Sequence, residues 1–261
     1  MRSVAFINEK GGTCKTTLCV NIGAALAQRG RRVLIVDLDT QGHAGKSLGL
    51  DVRGLRPTIQ DLLTGPSVAL AEVIRATAIP RLSVIPANKD LAAFPLMVAA
   101  EPDRAERLRQ RLAPLAQEGW DFILLDAPPS LSLVTENAML AASELVIPVA
   151  LTYLALDGCA EVLGSLERLR AERGRAPEVT MVVPALYRRT QLADEILAKL
   201  RERFPTALAR TQLGFSVKID EAQSHGKTIF EYAPRSSGAR ALAALAEELL
   251  QRGSAAGALA G

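Results

Sequence analysis

The chain has 261 residues, of which 49% are hydrophobic and only 4% aromatic, so a large core must be built mainly from Ala, Leu, Val and Ile. Its 31 Lys and Arg against 28 Asp and Glu give a net charge of +3, which is too small to establish a nucleic-acid partner. Three cysteines without a CxxC spacing argue against a disulfide framework and a zinc site. These cysteines favour a reducing, cytoplasmic environment, and because the sequence opens on a strand-like run without the regions of a signal peptide, we expect a soluble protein.

Short apolar runs of strand length alternate with helical patterns along the sequence. The predicted strands are Ser3–Asn8, Val33–Asp37, Leu82–Pro86, Phe122–Asp126, Leu145–Ala150 and Val179–Pro184, and the predicted helices are Lys15–Arg29, Asp103–Gln117, Leu131–Ala142, Asp157–Arg173, Leu192–Phe204 and Ser237–Arg252. The strands are continuously apolar, as expected for strands covered on both faces. The alternation predicts the α/β class, with a doubly wound, mostly parallel sheet flanked by helices. We expect one domain over residues 1–252 and a flexible tail over residues 253–261.

The segment between the first strand and the first helix has the composition of a phosphate-binding loop. It reads Lys10-Gly11-Gly12-Thr13-Cys14-Lys15-Thr16-Thr17. Glycines let backbone N–H groups surround phosphates, the helix N-terminus adds partial positive charge, and Lys15 can neutralise phosphate oxygens. Thr16 stands where a hydroxyl can ligate Mg²⁺. The ordinary pattern G-x-x-x-x-G-K-[ST] is not met, because Glu9 and Cys14 occupy its glycine positions. The strand, loop and helix together still predict a P-loop nucleotide hydrolase, specifically an ATPase.

Acidic residues follow two other predicted strands. Asp37 and Asp39 come at the end of the second strand, and Asp126 ends the fourth. In an open parallel sheet, ligands bind at the carboxyl ends of the strands. We therefore expect these carboxylates near the phosphate loop, where Mg²⁺ and an attacking water need acidic partners.

These motifs resemble the ParA/MinD family of deviant-Walker ATPases, whose loop pattern is K-G-G-x-x-K-[ST]. Four further segments resemble the ParA (Soj) branch of that family. Asp37-Leu-Asp-Thr-Gln-Gly-His-Ala is similar to D-x-D-P-Q-G-N-A, and Asp126-Ala-Pro-Pro-Ser is similar to D-x-P-P-S. Tyr153-Leu-Ala-Leu-Asp-Gly is similar to Y-x-A-L-E-G, and Val217-Lys-Ile-Asp-Glu-Ala-Gln-Ser-His-Gly-Lys is similar to V-R-L-S-E-A-P-S-H-G-K.

The resemblance implies an ATPase that uses ATP and Mg²⁺. By it, Lys15 holds phosphates and Thr16 ligates Mg²⁺. Asp39 positions or activates the hydrolytic water, and Asp126 supports the metal through water. Lys10 reaches across a nucleotide-sandwich homodimer to the partner subunit's phosphates, with the logic of an arginine finger. Family members hydrolyse ATP slowly, bind double-stranded DNA on the nucleoid without sequence preference, and release it when a ParB-like or other cargo adaptor stimulates hydrolysis.

A DNA-binding surface has to come from local basic residues, because the net charge does not supply it. Leu186-Tyr-Arg-Arg-Thr resembles the family's loop with a DNA-contacting arginine, which implies Arg189, and Lys218 occupies the basic position of the later segment. Arg188, Lys227 and Arg235 are secondary candidates. Lys and Arg on phosphates give salt-sensitive, sequence-independent binding. No membrane partner is expected, because the C-terminal tail lacks the bulky apolar residues and lysine cluster of an amphipathic anchor.

Three functions stay open. The first is a partition ATPase that segregates chromosome or plasmid DNA with a ParB-type partner, and the second is a positioning ATPase for a protein cargo such as a chemoreceptor cluster or a microcompartment. The third is a nucleotide-dependent binding module whose hydrolysis is impaired by Cys14, which stands where the family has glycine. A β-carbon at a positive φ there costs about 1 kcal/mol. At a helix N-terminus between two lysines, its thiol could also be acidified and reactive.

Overall fold

Eight strands build one sheet in the computed structural model, which describes residues 1–152 and 155–258, with side chains up to residue 252. They are β1 (Arg2–Phe6), β2 (Val33–Asp37), β3 (Arg75–Ala76), β4 (Leu82–Ile85), β5 (Phe122–Asp126), β6 (Glu144–Ala150), β7 (Glu178–Tyr187) and β8 (Leu213–Gly214). Their order across the sheet is β3-β4-β2-β5-β1-β6-β7-β8, and β3 runs antiparallel to β4 while the other pairs are parallel. Because β1 lies between β5 and β6, the loop that follows it is central on the carboxyl edge.

Helices cover both faces of this sheet. They are α1 (Lys15–Gln28), α2 (His43–Ser47), α3 (Ile59–Thr64), α4 (Leu70–Val73), α5 (Phe94–Met97), α6 (Arg107–Leu112), α7 (Leu133–Ala141), α8 (Ala155–Arg173), α9 (Gln191–Arg203), α10 (Val217–Ser224), α11 (Ile229–Tyr232) and α12 (Ser237–Ala258), with 3-10 helices at Lys89–Ala93 and Ala113–Gln117. Within the described part of the chain, none of them is long and apolar enough to cross a membrane.

Alternate residues of the central strands point to opposite faces of the sheet, which gives the domain two hydrophobic layers. Val4 and Phe6 pack into the layer that contains α1 and α12. Ala5 and Ile7 pack into the opposite layer, which contains α3 and α6 to α9. Burial on both faces is the reason that these strands are continuously apolar. The prediction of a single α/β domain with a doubly wound, mostly parallel sheet is therefore confirmed.

Some elements differ from the sequence prediction. The helix expected over Asp103–Gln117 divides into α6 and a 3-10 helix, because a proline in the first turn of the second piece cannot donate the next α-helical hydrogen bond. The two-residue strands and short helices are too brief to show a periodicity. The last helix continues past the expected Arg252 to Ala258. Tyr153 and Leu154 of the Y-x-A-L-E-G-like segment, and residues 259–261 of the predicted tail, lie outside the described residues.

Candidate functional site

A cavity of about 490 Å³ lies at the carboxyl edge of the sheet, between the loop that follows β1 and the segment that follows β2. It is lined by Gly11, Gly12, Thr13, Cys14, Lys15, Thr16, Thr17, Asp39, Gln41, His43, Lys46, Ser47, Pro129 and Gln223. The predicted phosphate loop from Gly11 to Thr17 thus faces a single cavity, and it shares that cavity with Asp39.

The loop enters α1 through two residues in the left-handed backbone conformation. Gly12 has a φ of 72° and Cys14 has a φ of 69°. A β-carbon built on Gly11 or Gly12 would meet no atom within 4 Å. The backbone at these two glycines is therefore open to a ligand, as a phosphate cradle at a helix N-terminus requires.

A side chain outside the motif fixes the start of this loop. The buried carboxamide of Asn8 accepts a hydrogen bond from the backbone N–H of Lys10 at 3.0 Å and donates to the carbonyl of Pro148 in β6 at 2.6 Å. The Lys10 carbonyl in turn accepts from the Thr13 hydroxyl at 3.2 Å and from Lys15 Nζ at 3.0 Å. The loop is held in shape by these contacts before any ligand binds.

Lys15 is the buried cation of the cavity, with 7% of its surface exposed. Burial lowers the pKa of its ammonium group, and the negative charges of Asp126 and Asp39 oppose that shift. A desolvated ammonium group interacts with an anion more strongly than a solvated one, because the surrounding dielectric constant is lower. The cavity therefore has a strong attachment point for phosphate.

Asp126 ends β5 beneath the loop and is fully buried, and neither of its carboxylate oxygens makes a hydrogen bond of good geometry, although the Thr16 hydroxyl lies near them. Burial raises its pKa well above the ordinary range and the charge of Asp37 raises it further, whereas the nearby Thr16 hydroxyl and Lys15 favour the ionised form. Buried oxygens without partners are uncommon, and a divalent cation close by, reached through water, would satisfy them. The described residues contain no group of three or more His, Cys, Asp and Glu side chains that could hold a metal, so such a cation would also need phosphate oxygens and water.

The two acidic residues after β2 have different surroundings. Fully buried Asp37 accepts hydrogen bonds from the backbone N–H groups of Asp39 at 3.1 Å, Ala44 at 2.9 Å and Gly45 at 3.2 Å, so it caps the start of α2. Burial raises the pKa of Asp37 to about 7 in spite of these bonds. Asp39 instead lines the cavity and accepts from the Gln41 backbone N–H at 2.9 Å. The expectation that both carboxylates approach the loop therefore holds for Asp39, while Asp37 positions the segment that carries it.

Lys10 differs from the other residues of the loop. The cavity is lined by Gly11 to Thr17, but Lys10 is not one of the described residues that line it. Its positive charge acts instead on buried Cys159 of α8, where it partly offsets the burial that raises the pKa of that thiol to about 11. Lys10 therefore lies close enough to α8 for its charge to act on Cys159.

Cys14 has the backbone strain that the sequence suggested. It precedes the first residue of α1 in a left-handed conformation and makes no side-chain capping hydrogen bond. The hypothesis of an acidified thiol is wrong, because burial raises the pKa of Cys14 to about 11, and Asp220 of α10 raises it further while Lys15 lowers it. Cys14 is therefore a protonated, partly buried thiol at neutral pH.

Further lining residues come from distant segments, and sequence reasoning assigned none of them to the site. They are Gln41, His43, Lys46, Ser47, Pro129 and Gln223, of which Gln41, His43, Pro129 and Gln223 lie in the segments that resemble the Soj branch. Gln223 of α10 also contacts the loop directly, since its Nε2 donates a hydrogen bond to Thr17 Oγ1 at 3.1 Å. No local pattern relates these two residues, and it is the packing of α10 against the start of α1 that brings them together.

Three of the predicted DNA-binding residues lie at the carboxyl end of β7 and β8. Arg188 and Arg189 follow β7 and are exposed, and the guanidinium of Arg188 lies 4.5 Å from the centre of the Phe215 ring, just after β8. Lys218, in the first turn of α10, is mostly exposed and forms an ion pair with Glu221 at 2.8 Å. We refer to Arg188, Arg189 and Lys218 together as the basic edge.

The other two predicted basic residues are placed differently. Lys227 lines a separate cavity beside Leu48–Leu50 and Ala76–Ile79. Arg235 is exposed shortly before α12, and its carbonyl accepts a hydrogen bond from Arg240 at 2.7 Å. Neither residue is grouped with the basic edge.

A parallel sheet whose central strand enters a Gly/Lys/Thr loop, with a buried lysine, a helix N-terminus and carboxylates from neighbouring strands, defines a P-loop nucleotide-binding protein. Comparison with known proteins narrows this class. The family described as AAA domain matches residues 1–179. The chromosome-partitioning ATPase Soj of Thermus thermophilus is 40% identical over 253 residues, covering 97% of this chain and 96% of the relative. The chromosome-partitioning ATPase Soj of Treponema pallidum is 37% identical over 252 residues, covering 96% of this chain and 98% of the relative.

A similar solved structure is cobyrinic acid a,c-diamide synthase from Mycobacterium smegmatis with bound ADP and magnesium. It is 30% identical, with a TM-score of 0.84, and the match covers 97% of this chain and 95% of the other. The same protein has been solved with an ATP analogue and magnesium. This chain belongs to the Soj-like group of the ParA/MinD family, and it is a ParA-like ATPase.

Proposed function

We propose that this protein is an ATP-dependent DNA-partitioning switch. It binds ATP with Mg²⁺, forms a homodimer around two nucleotides, binds double-stranded DNA without sequence preference, and hydrolyses ATP slowly until a ParB-like adaptor stimulates it. The position of Lys10 supports this proposal, because it lies near α8 and is not among the described residues that line the cavity, whereas Lys15 is buried in that cavity. A lysine placed in this way can serve the phosphates of a second subunit, as an arginine finger does.

In this proposal, the chain's own atoms bind and orient the triphosphate. The backbone N–H groups around Gly11 and Gly12 and the N-terminus of α1 surround the phosphates. Lys15 Nζ, which donates a hydrogen bond to the Lys10 carbonyl in this structure, would turn its charge to the phosphate oxygens. The DNA phosphates would contact the basic edge, principally Arg189 and Lys218, and Lys227 and Arg235, which lie outside this edge, would contribute less.

The residues around Asp126 fit Mg²⁺. When bound, Mg²⁺ neutralises the charge of the phosphate oxygens. The Thr16 hydroxyl would ligate the ion directly, and the buried oxygens of Asp126 would accept hydrogen bonds from water molecules around it. Asp39 faces the same cavity and would orient the attacking water, so Asp39→Ala should bind ATP but lose turnover by about 100-fold or more.

The direct test of this function is a Lys10→Ala variant studied with Mg-ATP. We expect Mg-ADP binding close to that of the wild type, no ATP-dependent dimer by light scattering, and a loss of turnover of about 1,000-fold. Lys199→Ala, which changes an exposed lysine of α9, is the matched control. A Lys10→Ala protein that dimerised and hydrolysed ATP normally would exclude the sandwich dimer.

A second function has a specific observation in its favour. The left-handed conformation of Cys14 strains the phosphate loop, which supports a nucleotide-dependent binding module with impaired hydrolysis. Mg-ATP turnover with and without DNA distinguishes the two, because an impaired module binds nucleotide without turning it over. In that case, Cys14→Gly should restore turnover. A positioning ATPase for a protein cargo shares the whole mechanism, and the adaptor that stimulates hydrolysis would identify it.

A further inference from the structure

We propose that Gln223 is a positioning residue for the nucleotide, and that it acts through the Thr17 hydroxyl. Gln223 lies on α10, far along the chain from the phosphate loop, yet it lines the same cavity as Thr17. Its Nε2 donates a hydrogen bond to Thr17 Oγ1 at 3.1 Å. This inference rests on the proposed binding of Mg-ATP in that cavity.

The direction of this hydrogen bond decides what Thr17 can do. A hydroxyl group has one proton to donate and two lone pairs to accept with. Because the Gln223 amide occupies one lone pair, the Thr17 proton remains to be donated elsewhere, and Thr17 lines the cavity. Gln223 therefore presents Thr17 as a hydrogen-bond donor to an anionic ligand, for which charge-assisted bonds are the stronger kind.

Gln223 can hold this position because its segment is fixed to α1 and α2 at other points. The buried side chain of Asn21 in α1 accepts from the Ile229 backbone N–H at 2.9 Å and donates to the Thr17 carbonyl at 2.8 Å. Closer to Gln223, Gly226 packs so tightly on the segment after α2 that a β-carbon there would lie 2.9 Å from the Gly49 Cα. The backbone that follows Gln223 is thus anchored at two points.

The hydrogen bond between Gln223 and Thr17 is a feature of this chain and is not part of the Soj-branch motif that the segment resembles. The Soj-branch segment has proline at the position of Gln223, and a proline side chain has no hydrogen-bond donor. The same segment has serine at the position of Asp220, and the family loop has glycine at the position of Cys14. Because Asp220 acts electrostatically on Cys14, the three residues that differ from the family pattern all lie near the start of α1. The C-terminal segment therefore contributes to the phosphate site.

The test compares Mg-ATP and Mg-ADP binding and steady-state turnover in single and double variants of the full chain. Gln223→Leu removes the donor and should weaken binding of both nucleotides about 5-fold. Gln223→Glu keeps the shape but only accepts, so it should capture the Thr17 proton. Its added negative charge also repels phosphate, and the two effects together should weaken binding by about 30-fold or more. KM should rise while kcat stays near the wild-type value, because the contact serves substrate binding rather than the reacting atoms. Gln110→Leu, on the exposed face of α6, is the control.

A double-mutant cycle separates positioning from a structural role. In a Thr17→Val background, the added Gln223→Leu change should alter nucleotide affinity by less than about 2-fold, because the hydroxyl through which it acts is gone. An additive cycle, or a fall in kcat without a change in KM, would overturn the inference. Thermal melting of the variants without nucleotide shows whether each is folded. If Gln223→Leu is not folded, Gln223→Glu takes its place in the double-mutant cycle. A wild-type protein that bound no Mg-ATP would instead refute the proposed function.

Discussion

The phosphate cavity and the basic edge lie on the same carboxyl side of the sheet, but the protein holds them in different ways. Around the cavity, Asn8, Lys15 and Asp126 are buried, and the first two are fixed by hydrogen bonds to backbone atoms. At the basic edge, Arg189 is exposed and Lys218 is restrained by one surface ion pair with Glu221. Buried polar groups interact strongly, and exposed charges are screened by water and salt. We therefore expect large, specific effects in the cavity and graded, salt-dependent effects at the edge.

Of the changes that contrast the cavity with the basic edge, Lys15→Ala should have the largest effect. Removing the buried ammonium group leaves the phosphate charge without its main partner, so we expect Mg-ATP turnover to fall by at least about 100-fold. Measured turnover and equilibrium nucleotide binding check this prediction. Lys199→Ala is again the control. A variant that retained most of its turnover would show that the cavity is not the site of hydrolysis.

Asp126→Asn should raise the stability of the fold while it lowers turnover. The pKa of the buried Asp126 carboxyl is raised, so the folded protein holds the proton of this group more tightly than the unfolded chain does. The folded state therefore loses stability as the pH rises above about 4, where the carboxyl of the unfolded chain ionises. The neutral isostere removes this cost. We expect the nucleotide-free variant to gain about 2 kcal/mol in free energy of unfolding at pH 8, and this gain to shrink toward pH 4.

Denaturant unfolding at both pH values measures that gain, with Asp103→Asn as an exposed control. Magnesium-dependent turnover should fall in the same variant, because the support for the cation is lost. A nucleotide-free Asp126→Asn protein less stable than the wild type at pH 8 would mean that the carboxylate is satisfied in a way that this structure lacks.

At the basic edge, Arg189→Glu should weaken DNA binding in the presence of Mg-ATP by about 10-fold at low salt, equally for different sequences. Lys218→Glu should have a smaller effect, because Lys218 must first leave its ion pair with Glu221. Each change should reduce the slope of log affinity against log salt by about 1. Arg170→Glu, on the exposed side of α8, is the control. Salt titrations in which the three variants behave alike would remove the DNA assignment from this edge.

The smallest effect concerns the strained residue of the phosphate loop. Cys14→Gly and Cys14→Ala both remove the thiol and its packing, but only glycine adopts a φ of 69° without a β-carbon penalty. We expect the glycine variant to be more stable than the alanine variant by about 1 kcal/mol, after the greater flexibility of unfolded glycine is offset. Equal stability of the two variants in denaturant unfolding would mean that the loop is not strained at Cys14.

The sequence predicts the central part of the molecule well, because the patterns that indicate it involve residues close together in the chain. Continuous apolar runs and Gly/Lys/Thr spacing are short-range patterns, and they predicted β2, β5 and the loop before α1. Asp37 could not be separated from Asp39 in this way, because the difference depends on which carboxylate caps α2. Gln223 could not be found at all, since its contact with Thr17 depends on how α10 packs on α1.

The central claim, that Lys10 serves the nucleotide of a partner subunit, is tested most directly by mixing two inactive variants. A Lys10→Ala chain keeps its own Asp39, and an Asp39→Ala chain keeps the Lys10 that its partner needs. In a symmetric two-fold dimer, the mixed species therefore has one complete site. Since the Lys10→Ala chain is expected to dimerise only with a partner that supplies Lys10, an equal mixture should recover up to about a quarter of wild-type turnover. A mixture no more active than the sum of the separate variants would contradict the claim.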